Sequence, residues 1–172
     1  MKKRSLLLAM STLLLLCSCG GTTYTNDASM SESGVSISVE NKLTLKDNGE
    51  FKLDILSITA FNDSAATKLD WDGAAKAETR DIASGTYEIT EVSGNKLYTL
   101  TTTVVKSYIK ISGKGKQDLK DQMEPSLEAS YSAQEVVDLL AGKTITKKAE
   151  DGKNLGKIVV TIDEETKTFR GV

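Results

Sequence analysis

The chain has no histidine, and both of its cysteines, Cys17 and Cys19, fall within the first nineteen residues. Proline occurs once, at Pro125, and tryptophan once, at Trp71. Without histidine, and with the cysteines confined to the N-terminal end, the main part of the chain has no thiolate nucleophile, no imidazole base and no soft donor set for zinc. A cofactor is not expected, and neither is a metal centre. Charge of neither sign dominates. The formal net charge of −2 rests on 22 basic and 24 acidic residues, and no basic cluster of the kind that grips a phosphate backbone is present. Nucleic acid is therefore not an expected partner.

Long apolar runs are equally rare. The only one, Leu6 to Leu16, follows Met1-Lys2-Lys3-Arg4 and ends at Cys17-Ser18-Cys19-Gly20-Gly21. A spanning helix needs about 20 apolar residues, so a basic start, a short apolar stretch and a small-residue end read as a secretion signal over residues 1–18. Leu16-Cys17-Ser18-Cys19 resembles the lipobox of bacterial lipoproteins, with Leu16 three residues before the target and small Ser18 immediately before it. Taking Cys17 as the target would put Leu16 where a small residue is wanted. The resemblance implies cleavage before Cys19, acylation of that cysteine with diacylglycerol and a fatty acid such as palmitate, and a membrane as partner through the lipid anchor. Each buried methylene contributes about 0.8 kcal/mol, so several acyl chains hold where one slips. Gly20 is not an aspartate, and by the usual sorting rule the expected location is the bacterial cell envelope at the outer membrane. Loss of Lys2, Lys3 and Arg4 with the signal would move the formal charge from −2 to −5.

Residues 19–34 are dominated by Gly, Ser, Thr, Asn and Asp and are expected to form a flexible tether. Residues 35–172 then suit one domain. Leu43 and Leu45, a loop Asp47-Asn48-Gly49, and Phe51, Leu53 and Ile55 spell a hairpin. Side-chain parity selects a three-residue loop with Gly49 left-handed, pairing Leu45 with Phe51 and Leu43 with Leu53. A second hairpin runs from Thr86 through a turn near Gly94-Asn95 to Leu100, with Tyr87, Ile89, Tyr98 and Leu100 on one face. The apolar phase then moves from Tyr98, Leu100 and Val104 to Val105, Ile109 and Ile111, which requires a bulge between Thr103 and Val105.

Between the hairpins, residues 61–84 are expected to be a long loop carrying Asp63, Asp70, Trp71, Asp72, Glu78 and Asp81, with a short strand near Ala77–Ile82. Those carboxylates match no calcium-loop spacing and read as a solvated surface. The pattern turns helical after Gly115. Ser132-Ala133-Gln134-Glu135 forms a capping box before Val136, Val137, Leu139 and Leu140, with Gly142 as the terminal cap. Strands near 144–149, 157–162 and 168–172 complete the domain. Ser107-Tyr108-Ile109-Lys110 has the spacing of an acylated-serine motif, but residues three apart on a strand face opposite ways, and no nucleophile is expected there.

Thr44-Leu45-Lys46-Asp47-Asn48-Gly49-Glu50-Phe51, Ser84-Gly85-Thr86-Tyr87 and Gly94-Asn95-Lys96-Leu97 together resemble lipocalin-like domains of bacterial lipoproteins. The resemblance covers Leu43 to Ile111. It implies a mainly β fold, an antiparallel meander closing into a barrel of about eight strands with one packed helix. The expected function is non-enzymatic binding of a small apolar or amphipathic ligand. Phe51, Leu53, Ile55, Tyr87, Ile89, Tyr98 and Leu100 would line the interior, with Trp71 at the mouth. The rival expectation is a filled barrel that serves as a structural or protein-interaction lipoprotein, meeting an envelope protein partner. The anchor is tested by metabolic labelling with a palmitate analogue: the chain incorporates label, Cys19→Ser does not, and equal labelling of the two overturns the assignment.

Overall fold

The computed structural model describes residues 21–172. The expected signal, Cys17, Cys19 and the expected cleavage point lie outside the described residues. Among the described residues there are eight strands: β1 (Thr22–Glu32), β2 (Val35–Leu45), β3 (Glu50–Phe61), β4 (Ala75–Val92), β5 (Asn95–Gly113), β6 (Ile145–Lys148), β7 (Gly156–Asp163) and β8 (Thr168–Gly171). Three helices join them: α1 (Asp63–Lys68), α2 (Lys116–Glu128) and α3 (Ala133–Leu140). β1 to β5 form an antiparallel meander, β7 and β8 extend it, and contact between β8 and β1 shuts a seven-stranded barrel. β6 stands beside β5 outside that ring.

The first predicted hairpin forms in the expected register, Leu45 opposite Phe51 and Leu43 opposite Leu53. Gly49 has φ +81°, and the Lys46 amide donates to the Glu50 carbonyl across the three-residue loop at 2.9 Å. In the second hairpin Tyr87 faces Leu100 and Ile89 faces Tyr98. Its turn is Ser93-Gly94, one residue earlier than expected, with φ of +51° and +81°. Two left-handed residues are what a two-residue hairpin needs to match strand twist.

The residues expected to be a tether are largely strand. β1 pairs with β2 along its whole length, from Thr22 opposite Leu45 to Glu32 opposite Val35. Ser33-Gly34 makes the same left-handed pair of residues as Ser93-Gly94, with φ of +52° and +86°. Polar composition misled because β1 buries only Tyr24, whereas most of its remaining side chains are exposed. The long loop expected over 61–84 is likewise replaced. Asn62 caps α1 by accepting from the Ala65 amide at 2.9 Å, and β4 begins at Ala75 and continues unbroken to Val92. Asp63 accepts from the Ala74 amide and Asp118 from the Asp72 amide, pinning the short connection. The capping box on α3 is present in both directions, and Gly142 takes φ +77° after it. One packed helix was expected; α2, which contains Pro125, is a second.

A bulge at Thr103 organises the barrel. Gly85 pairs with Thr102 and Ser84 with Val104, so Thr103 has no opposite residue. The inward phase of β5 thus passes from Tyr98, Leu100 and Thr102 to Val105, Ser107 and Ile109, and Val104 turns outward. At the same point the other edge of β5 changes partner: pairing with β7 ends at Thr102 opposite Gly156, and pairing with β6 begins at Val104 opposite Lys148. The half of the barrel bounded by β7 and β8 is filled. Tyr24, Leu43, Leu45, Phe51, Leu53, Tyr98, Leu100, Val160 and Phe169 form one buried cluster.

Closure rests on a short seam. Thr25 pairs with Thr168 in the parallel sense, its amide donating to the Lys167 carbonyl at 2.9 Å. Tyr24 donates its hydroxyl to Glu164 Oε1 at 2.9 Å, and Lys167 Nζ both pairs with Glu164 at 2.8 Å and lies 5.6 Å from the Tyr24 ring centre. Burial, followed by the neighbouring Glu164 carboxylate, pushes the Tyr24 hydroxyl up to about 12. A phenol whose folded value exceeds its unfolded value near 10 stabilises the fold in full below pH 10 and loses that contribution as pH rises toward 12. Tyr24→Phe is therefore expected to flatten the alkaline limb of a thermal-stability profile measured between about pH 9 and pH 12; an unchanged limb would show that the seam does not depend on this phenol.

Candidate functional site

The other half of the barrel is not filled. Beyond Thr103, β5 pairs with β6 instead of β7, and α2 and α3 lie across the inner faces of β4 and β5. A half-open cavity of about 470 Å³ remains between the helices and the sheet, within the size range of small-molecule sites.

Strand register builds its wall. Ile55, Asp81 and Ser107 form one cross-strand row, Ser57, Thr79 and Ile109 the next, and Thr59, Ala77 and Ile111 the third. The first row lies directly above the filled cluster, since Ile55 and Ala83 pack against that cluster while Asp81 faces the cavity. It is the floor. Opposite the sheet, α2 contributes Leu119, Met123 and Leu127 and α3 contributes Leu139. A small second cluster of Ala75, Ala77 and Leu119, with Phe61, Trp71, Ile111 and Met123 against it, closes the far end. The result is a chamber of mixed lining, with apolar side chains from both helices, Ser57, Thr59 and Thr79 along the sheet, and its one carboxylate at the floor end.

At that end, Ser107 donates its hydroxyl to Asp81 Oδ1 at 2.5 Å and lies 3.2 Å from the Tyr131 hydroxyl. Residues facing each other across an antiparallel pair bring their side chains together on one face, and here the pair is Asp81 with Ser107. Ser107 is buried, while Lys110 points to solvent. That separates the two members of the serine-lysine spacing, as strand geometry requires. No group of three or more metal-ligating side chains occurs among the described residues, and none of the described helices is long and apolar enough to cross a membrane.

The residues expected to line a ligand site fall in four places. Phe51, Leu53, Tyr98 and Leu100 belong to the filled cluster, with Ile55 and Tyr87 packed against it. Tyr87 also donates its hydroxyl to the Lys46 carbonyl at 3.0 Å. Ile89 is 51 % exposed, because the β4–β5 hairpin runs on beyond the ring. Trp71 stands apart from all of these, its ring centre 4.8 Å from that of Phe61 and tilted by 56° to it, and Phe61 lines the cavity. The aromatic face read from the sequence is thus core, and the cavity belongs to a set that includes Ser57, Thr79, Asp81, Ser107 and Tyr131. Parity alone could have placed Ser57 and Thr59 inside, two and four residues past Ile55. Their polarity masked the pattern.

Lys147 of β6 fastens the helical cover. Its ammonium lies 4.4 Å from the Tyr131 ring centre, donates to the Ser130 carbonyl at 3.2 Å and sits 3.6 Å from Glu135. Glu135 is held below the usual carboxylate range chiefly by the Ser132 amide, with Lys147 adding to the effect. One side chain therefore ties the α2–α3 junction and the start of α3 to the sheet. No protein-family model, curated protein or solved structure matches the chain. Lys147→Ala is expected to cost about 1 kcal/mol of local stability, seen as several-fold faster amide exchange in α3 with unchanged exchange in β2 and β3. Uniform acceleration, or none, would remove the fastening role.

Proposed function

We propose that the protein is a non-enzymatic binding module that holds one small amphipathic ligand in the helix-covered half of its barrel, tethered to the bacterial outer membrane through Cys19. The cavity carries the binding part of this reading: a half-open chamber of about 470 Å³, walled by apolar helix side chains and a partly polar sheet face, with Asp81, Ser107 and Tyr131 grouped at its floor. A few placed polar groups in an apolar wall are what orient a small ligand. Asp81 and Ser107 serve recognition, because a carboxylate is too weak a base to draw the proton from a serine hydroxyl without further activation. The anchor and the address rest on the lipobox resemblance at Leu16 to Cys19. A lipocalin-like ancestry is compatible with the closed barrel, although its closing contact is parallel.

One observation favours the rival reading of a protein-interaction lipoprotein. Beyond Thr25, β1 is paired only with β2 among the described residues, and Met30 on it is 59 % exposed. An unpaired strand edge is a template for a partner strand. Crosslinking in cells from positions on β1 separates the two: a reproducible envelope protein favours the rival. The binding reading is tested with N-phenyl-1-naphthylamine, whose emission rises in apolar surroundings. Saturable binding is expected, weakened roughly tenfold by Thr79→Phe, which fills the chamber. Absence of saturable binding, or indifference to Thr79→Phe, overturns it.

A further inference from the structure

The polar end of the cavity carries charge of one sign only. Among the lining residues there is one carboxylate, Asp81, and no lysine or arginine. Asp81 Oδ1 accepts from Ser107, whereas Oδ2 has no protein donor among the described residues. No buried side-chain oxygen or nitrogen among them lacks a partner. Oδ2 is therefore reached from the cavity space.

The nearby cations are all committed or directed elsewhere. Arg80 makes a two-pronged pair with Asp54 at 2.8 and 2.7 Å. Lys106 and Lys110 are exposed and alternate in sequence with the inward Ser107 and Ile109. Lys147 is engaged with Glu135, Ser130 and the Tyr131 ring. A half-buried carboxylate is thus left at the floor of a partly apolar chamber with a hydroxyl donor on one oxygen and no counter-ion.

An anion placed there meets like charge in a medium less polar than water, and a neutral ligand offsets none of the cost of enclosing the carboxylate. A cation offsets it directly. We infer that the ligand is a cationic amphiphile: a protonated amine seats on Asp81 Oδ2, and its apolar body lies along Ile109, Leu119 and Met123. A charge-assisted contact to the ammonium replaces water that the enclosed carboxylate holds poorly. The inference rests on the binding reading above and specifies its chemistry.

The test compares decylammonium, decanol and decanoate on the full chain, below their micelle-forming concentrations. Emission of Trp71 is the readout, since it is the one tryptophan and its ring packs against that of the cavity residue Phe61. Decylammonium is expected to bind roughly tenfold or more tighter than decanol, with decanoate weakest. Asp81→Asn should erase the ammonium advantage over decanol. Equal affinities for the three ligands, or decanoate matching decylammonium, overturn the inference while leaving the cavity a binding site. Failure of all three to bind saturably overturns both. The ranking on the unaltered chain decides the matter even where Asp81→Asn folds poorly.

Discussion

The single extra residue at Thr103 governs the architecture. A strand keeps one set of side chains on one face only while its pairing is regular, and the insertion resets both phase and curvature midway along β5. Gly85 makes the local geometry feasible, because a Cβ there would stand 2.0 Å from the Thr101 carbonyl oxygen. On one side of the insertion β5 meets β7, the ring shuts and apolar side chains fill it. On the other side β5 meets the short β6, and the sheet leaves space that two helices cover. One irregularity therefore yields a solid half and a hollow half from the same strands.

This division also explains what the amino-acid pattern revealed and what it concealed. The Leu43–Ile55 hairpin, the common face of Tyr87 and Leu100 and the bulge itself were legible because each lies on or beside the filled half, where burial forces strict alternation of apolar side chains. The capping box at Ser132 and the cap at Gly142 were legible because they satisfy backbone groups locally, whatever the surroundings. By contrast, Ser57, Thr79, Asp81 and Ser107 face inward without being apolar, since they border a chamber and not a packed interior. Alternation loses its hydrophobic signal there, and the first part of β4 consequently read as a polar loop with only a short strand near Ala77–Ile82, although the strand runs unbroken from Ala75. β1 was hidden for the same reason, with Tyr24 its lone buried side chain. The aromatic residues that draw attention in the sequence are the ones that fill space, and the residues suited to recognition look ordinary in it.

The two halves have different mechanical characters. The floor of the chamber rests on close-packed side chains, which hold the Asp81 row in place and resist deformation. Its cover is a pair of helices with fewer buried residues, Leu119 on α2 and Val136 and Leu139 on α3. Segments with few buried contacts open at lower free energy than the core beneath them. A fixed floor beneath a looser cover allows access to the chamber without disturbing the polar end that would orient what enters.

The seam between β1 and β8 has a kinetic side. It joins Thr25 to Thr168, residues separated by most of the described sequence, so the ring is completed by one of the most distant encounters the chain makes. Loop-closure entropy must be met before such a contact stabilises anything, and folding rates fall as pairings become less local. The meander from β1 to β5 is assembled from neighbours and can form early, while closure of the ring waits for β8. During that interval the apolar interior is a curved trough with two unsatisfied margins, and the molecule is most exposed to misassociation just before its last strand arrives.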